Sequence, residues 1–186
     1  MGVKGSGKTT CAKYLVEKYK FMEKSFGECL KRACQIIFLL SDRQILGTQI
    51  EKETPDSKWF DCTPRKMLQY LGTDLLRNQM YIIMPELKCD IFIRHMLLWH
   101  QNQLSKNSDI SLVISDVRFQ NEADFVKFLG GNVVKLIKEN TNDNIDTHAS
   151  EIEINNIINY DFIITNNNTV DSLLQKIDAY IYNSKI

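Results

Sequence analysis

Gly2-Val3-Lys4-Gly5-Ser6-Gly7-Lys8-Thr9 places glycines, a lysine and a hydroxyl residue at the spacing G-x-x-x-x-G-K-[ST]. Glycines let successive backbone N–H groups turn inward around phosphate oxygens. A helix opening directly afterwards adds its positive N-terminal end. In such a loop Lys8 reaches the outer phosphates, and the Thr9 hydroxyl is a hard oxygen ligand for Mg²⁺. Gly5, Ser6, Gly7, Lys8, Thr9 and Thr10 are therefore the candidates for holding the phosphates of ATP. Three of the chain's eight glycines fall in its first seven residues.

A second group lies far along the chain. Asp116 and Arg118 follow the apolar run 111–115, at the end of a strand where open parallel sheets bind ligands. Asp116 can hold Mg²⁺ or its waters, and Arg118 can clamp a phosphate as a fork. The plainer alternative is a strand-end Asp capping the next helix, with an exposed Arg118 paired to Glu122 four residues on. Arg65 and Arg77 share one predicted helix. They suit the dianionic phosphate of an acceptor, which favours bidentate donors, or else form a solvated charged face. Lys31 has the same two readings. His148 and Glu151 belong to a polar cluster, residues 146–151, which reads as a phosphate-covering lid with Lys135 and Lys138 near it, or as an ordinary helix cap. His95, His100 and His148 are too dispersed to suggest a metal site.

The elements that must position these groups follow from periodicity. Helices are predicted over 8–20, 27–40, 63–80, 85–104, 119–129, 151–158 and 170–182, with a short helical turn from Ser41 to near Gly47. Thr63-Pro64 is a strong start, an N-cap followed by proline. Strands are predicted over 21–26, 111–115, 132–138 and 161–165. Residues 48–63 and 139–147 read as loops. Strands separated by helices imply parallel crossovers, and so an α/β sandwich with a parallel sheet. A phosphate loop normally follows a buried strand, and only Met1 precedes Gly2. The first strand is thus expected to be missing from the chain.

The chain has 186 residues, enough for one domain with an insertion. Lys+Arg and Asp+Glu are both 23, which excludes a binder of polymeric nucleic acid held by bulk charge. No apolar run is long enough for a membrane helix, and the start does not read as a signal peptide. Five cysteines, at 11, 29, 34, 62 and 89, form no C-x-x-C pair. They read as reduced thiols of a cytoplasmic protein.

Taken together, GSGKTT at 5–10, SFGECLK at 25–31, TPRKMLQYLGTDLLR at 63–77, SDVRFQNEADFVKFLGG at 115–131, DTHASE at 146–151 and IITNNNTVDSLL at 163–174 resemble the deoxynucleoside monophosphate kinases of phages and large DNA viruses. The resemblance spans nearly the whole chain. It implies a three-layer α/β/α sandwich of the P-loop NTPase type, a helical acceptor-binding insertion over about 41–105, and a lid over about 139–150. It implies transfer of the ATP γ-phosphoryl to a deoxynucleoside monophosphate. Lys8, Asp116, Arg118 and Arg77 would then be catalytic, with Thr9 and Asp116 serving Mg²⁺. Thr165 and Asn166 would contact the ATP base, and Lys31, Arg65, Asp74, Arg77, His148 and Glu151 would hold the acceptor. A homodimer follows by analogy, and for a viral enzyme the location would be the host cytoplasm. Two other readings share the loop: a kinase similar to phosphomevalonate kinase, and a degenerate nucleotide-binding protein without turnover.

Overall fold

The computed structural model describes residues 1–3, 5–87, 91–138, 154 and 156–184. The chain divides into two units, one of Met1–Ser25 with His100–Ile186 and one of Phe26–Trp99.

In the first unit, the amphipathic run after the glycines forms α1 (Lys8–Tyr19). The helix ends on Lys20 in the left-handed conformation, whose N–H turns back to the Leu15 carbonyl. β1 (Met22–Lys24) pairs in parallel with β2 (Leu112–Ile114), Met22 opposite Leu112. β3 (Val134–Ile137) pairs in parallel with β4 (Phe162–Thr165), Val134 opposite Phe162. Parallel partners cannot be joined by a hairpin. Accordingly the whole helical unit lies in sequence between β1 and β2.

The one parallel sheet expected from the sequence is, among the described residues, two parallel pairs. A cavity of about 380 Å³ is lined by Leu112 and Ile114 of β2, Val134 and Leu136 of β3, and Leu15 of α1. Met1 stands beside β3: its ammonium donates to the Val134 carbonyl at 2.6 Å and its carbonyl accepts from the Leu136 N–H at 2.8 Å. That is the bond pattern of one residue in a parallel ladder, set against Lys135.

α7 (Gln120–Phe128) stops where its glycines predict, with Gly130 at φ 78°. α8 (Val170–Ser184) places Leu173, Ile177 and Ile181 at four-residue intervals against Leu136, Ile164 and Cys11. Each such aliphatic side chain contributes roughly 1.5–3 kcal/mol by leaving water. Asp178 ties α8 to α1 at the rim of this core, accepting from Tyr14, Tyr19 and Lys18 at 2.7–2.8 Å.

The second unit is helical: α2 (Glu28–Phe38), α3 (Asp42–Leu46), α4 (Gln49–Glu53) and α5 (Pro64–Gln69), with α6 (Ile91–Leu104) beginning in it. Its core gathers Cys34, Leu40, Ile45 and Met67. Trp59 closes one side, its indole N–H donating to the Phe38 carbonyl at 2.7 Å. Residues 48–63 are more ordered than the predicted loop, holding α4 and a 3₁₀ turn over Ser57–Trp59. The reason is a capping box: the Thr48 N–H donates to Glu51 at 2.7 Å and the Glu51 N–H to the Thr48 hydroxyl at 3.3 Å.

The predicted 63–80 helix starts on its Thr63-Pro64 cap but widens into a π-helix over Tyr70–Arg77, then a 3₁₀ turn over Met80–Ile82. Asn78 N–H reaches the Thr73 carbonyl at 3.0 Å, five residues back. The predicted 85–104 helix is a 3₁₀ turn at Pro85–Leu87 followed by α6 from Ile91, with 88–90 outside the described residues. The expected lid, 139–150, also lies outside them, as does the start of the predicted 151–158 helix. No described helix is long and apolar enough to cross a membrane.

Candidate functional site

The start of α1 is built as the sequence predicts. The Ser6 N–H closes a turn on the Val3 carbonyl at 3.2 Å, and Gly7 forms the helix N-cap at φ 102°, ψ 6°. A side chain at Gly7 is excluded twice. The left-handed φ disfavours it, and a Cβ would stand 2.8 Å from Asn166 Nδ2 and 2.9 Å from Leu173 Cδ2.

Among the described residues no side chain caps α1, and no acidic residue occupies its first turn. Its opening N–H groups and positive dipole end thus lie behind a glycine turn, which suits an anion. Lys8 Nζ donates to the carbonyls of Gly2 at 2.6 Å and Val3 at 2.7 Å, folding its charge onto the loop. Thr9 and Thr10 are exposed, while Ser6 is fully buried.

Asp116 sits just past β2, half-buried. Lys8 and the 114–117 turn are brought together, since Lys8, Ser115 and Val117 line the same cavity as β2. The Met1 amine senses both. Burial foremost, then the Lys8 charge, pushes it down to about 5, while Cys11 and Asp116 pull the other way. Thr9 and Asp116 offer a hydroxyl and a carboxylate, the hard oxygen set that Mg²⁺ takes.

The plainer expectation of an exposed Arg118 paired to Glu122 meets a half-buried Arg118 and a buried Glu122. Glu122 is 1% exposed, and its carboxylate accepts the backbone N–H of Arg118 at 2.7 Å and of Phe119 at 3.3 Å. It therefore fixes the turn that carries Asp116 and Arg118. The sequence hid this because the residue at the helix start is Phe119, which carries no capping oxygen.

Asn166 extends the β3–β4 ladder, its N–H donating to the Ile137 carbonyl at 2.7 Å, and its side chain donates to the Ser6 carbonyl at 3.0 Å. Thr165 is exposed, its carbonyl accepting from Lys176 at 2.6 Å. The structure thus joins the end of β4 to the glycine turn before α1. Sequence spacing alone signals nothing of the Asn166–Ser6 bond.

In the helical unit, Arg77 is buried, its guanidinium 4.6 Å from the Phe92 ring centroid. Arg65 donates to Gln49 at 2.5 Å and pairs with Glu53 at 3.2 Å. Asp74 is half-buried on the π-helix and Lys31 half-buried on α2. His148 and Glu151 lie outside the described residues.

A model of the deoxynucleotide monophosphate kinase family matches residues 43–177. A protein of Acanthamoeba polyphaga mimivirus, provisionally named a deoxynucleotide monophosphate kinase, is 52% identical over 184 residues, 99% of this chain and 95% of its own. Among solved structures, dephospho-CoA kinase from Campylobacter jejuni is similar across 100% of this chain and 96% of its own, with a TM-score of 0.50 and 16% identity. At that identity the likeness speaks to the fold, an α/β fold of kinase type with parallel strands.

Proposed function

The chain belongs to the deoxynucleotide monophosphate kinase family and transfers a phosphoryl group to a deoxynucleoside monophosphate; we propose that ATP is the donor and that its phosphates sit on the Gly5–Thr10 loop. The observation that carries the donor assignment is the start of α1: an uncapped helix behind a glycine turn, with Lys8 folded onto it. Mg²⁺ bound by Thr9 and Asp116 would neutralise charge on the donor phosphates.

An oxygen of the acceptor monophosphate attacks the γ-phosphorus, and the bond to the bridging oxygen breaks, leaving ADP. The protein's work is positioning and charge neutralisation, without a covalent intermediate. Lys8 exchanges its two loop carbonyls for phosphate oxygens. Arg118 is held at the end of β2 by the Glu122 carboxylate and supplies a second cation. Arg65, Arg77 and Asp74, on a helical insertion over about 41–105, bind the acceptor together with Lys31 of α2. His148 and Glu151 complete the acceptor contacts in this reading. The two parallel pairs belong, in this reading, to one three-layer α/β/α sandwich, with parallel register in both pairs as support. A homodimer working in the host cytoplasm completes the reading, and light scattering tests its oligomeric part.

The test is incubation with ATP and, in turn, dGMP, dTMP, dCMP, dAMP, the ribonucleotides and mevalonate phosphate, with products separated by chromatography. At least one deoxynucleoside diphosphate should form together with ADP. Turnover of mevalonate phosphate alone contradicts the assignment.

A further inference from the structure

We propose that Asn166 is a positioning residue for the phosphate loop: it holds the Ser6–Gly7 peptide so that the Gly7 N–H faces the phosphate side. The proposal rests on the donor-site reading above and goes beyond it. The family resemblance implies a contact of Asn166 with the ATP base instead.

Asn166 is anchored independently of the loop. Its backbone N–H donates to the Ile137 carbonyl at 2.7 Å, one residue beyond the β3–β4 ladder. The side chain then reaches across to the Ser6 carbonyl at 3.0 Å. A carbonyl only accepts, so the group facing it is the amide NH₂.

The carbonyl of Ser6 and the N–H of Gly7 belong to one planar trans peptide and point in opposite directions. Fixing the carbonyl therefore fixes the N–H. Such a tie matters here because Gly7, at φ 102° on one side of the peptide, has no Cβ to limit its rotation. The loop's own hydroxyl does not supply the restraint: among the described residues the buried Ser6 Oγ has no hydrogen-bond partner. Asn166 also packs closely, since a Cβ on Gly7 would lie 2.8 Å from its Nδ2. A tie from the end of β4 thus sets the direction of a donor in the loop between Met1 and α1.

The experiment is calorimetric binding of ATP, inorganic tripolyphosphate and adenosine to the wild type, Asn166→Ala and Asn166→Asp, with thermal melting of each protein. Tripolyphosphate has no base, so it decides between loop positioning and base contact. Asn166→Ala should weaken ATP and tripolyphosphate alike, by about tenfold, the worth of one hydrogen bond. Adenosine binding should not change. Asn166→Asp keeps the shape but sets an acceptor against the Ser6 carbonyl, so it should weaken both further with the melting temperature retained. Unchanged tripolyphosphate affinity in both variants overturns the proposal. If the wild type binds neither ATP nor tripolyphosphate, the donor-site reading itself fails, an outcome distinct from a loss confined to the variants.

Discussion

The Lys8 ammonium lies 2.6 Å from the carbonyl of Gly2, in the same turn whose phosphates it is assigned to bind. With Val3 as second acceptor, it closes the loop on itself before any substrate arrives. Phosphate oxygens would offer it charged acceptors, and charge-assisted bonds are roughly twice as strong as those to neutral carbonyls. Lys8→Met should lower kcat/KM by a factor on the order of 10³, about 4 kcal/mol. Steady-state kinetics checks it, and near-normal turnover would remove Lys8 from the chemistry.

Gly72 on the π-helix faces Leu30 of α2, and a Cβ there would come within 2.5 Å of Leu30 Cδ2. Gly72→Ala should cost about 1–3 kcal/mol by overpacking. Leu30→Ala in the same chain makes room, so the double variant should be less destabilised than the two singles added together. Urea unfolding of the four proteins measures that coupling.

Much of the fold was legible because its signals are local. Lys8–Tyr19 carries its apolar residues at helical spacing, and Thr63-Pro64 and Gly130-Gly131 punctuate their helices as written. The capping box at Thr48–Glu51 was equally legible, but the polar composition around Pro55 obscured it, and α4 went unpredicted. The π-helix was not legible. A bond five residues back, as from Asn78 to Thr73, leaves the apolar stripe nearly unchanged over so short a span. For the site, the loop residues declared themselves by motif. Glu122 as an acceptor for backbone N–H groups, and Asn166 as a tie to Ser6, depend on tertiary approach that no spacing encodes.

Arg65 bridges two helices, donating to Gln49 at 2.5 Å and pairing with Glu53 at 3.2 Å. If its fork also binds the acceptor phosphate, Arg65→Lys should raise the monophosphate KM about tenfold, because a point charge replaces a bidentate donor. The ATP KM should stay constant. Glu53→Gln should leave both within about threefold, since an ion pair whose carboxylate is half exposed contributes little. A rise in the ATP KM alone would move Arg65 to the donor side.

Bonds from Lys18 and Tyr19, then Tyr14, hold the Asp178 carboxyl below its ordinary 3.8, against a smaller opposing effect of burial. A lowered folded value means that stability is gained above the unfolded value and lost as pH falls through the folded one. The α1–α8 tie should therefore be intact at neutral pH and weaken as pH falls through and below the ordinary carboxylate range. Asp178→Asn should flatten that part of the Tm–pH curve. An identical acid slope in wild type and variant would show that Asp178 carries none of it.

Transfer of labelled phosphoryl from γ-labelled ATP, in wild type and Lys8→Met side by side, tests the central assignment most directly. The label should appear in the diphosphate of at least one of dGMP, dTMP, dCMP and dAMP with wild-type enzyme, and be lost in the variant. Label confined to free phosphate, or transfer undiminished in Lys8→Met, would contradict a deoxynucleoside monophosphate kinase built on this loop.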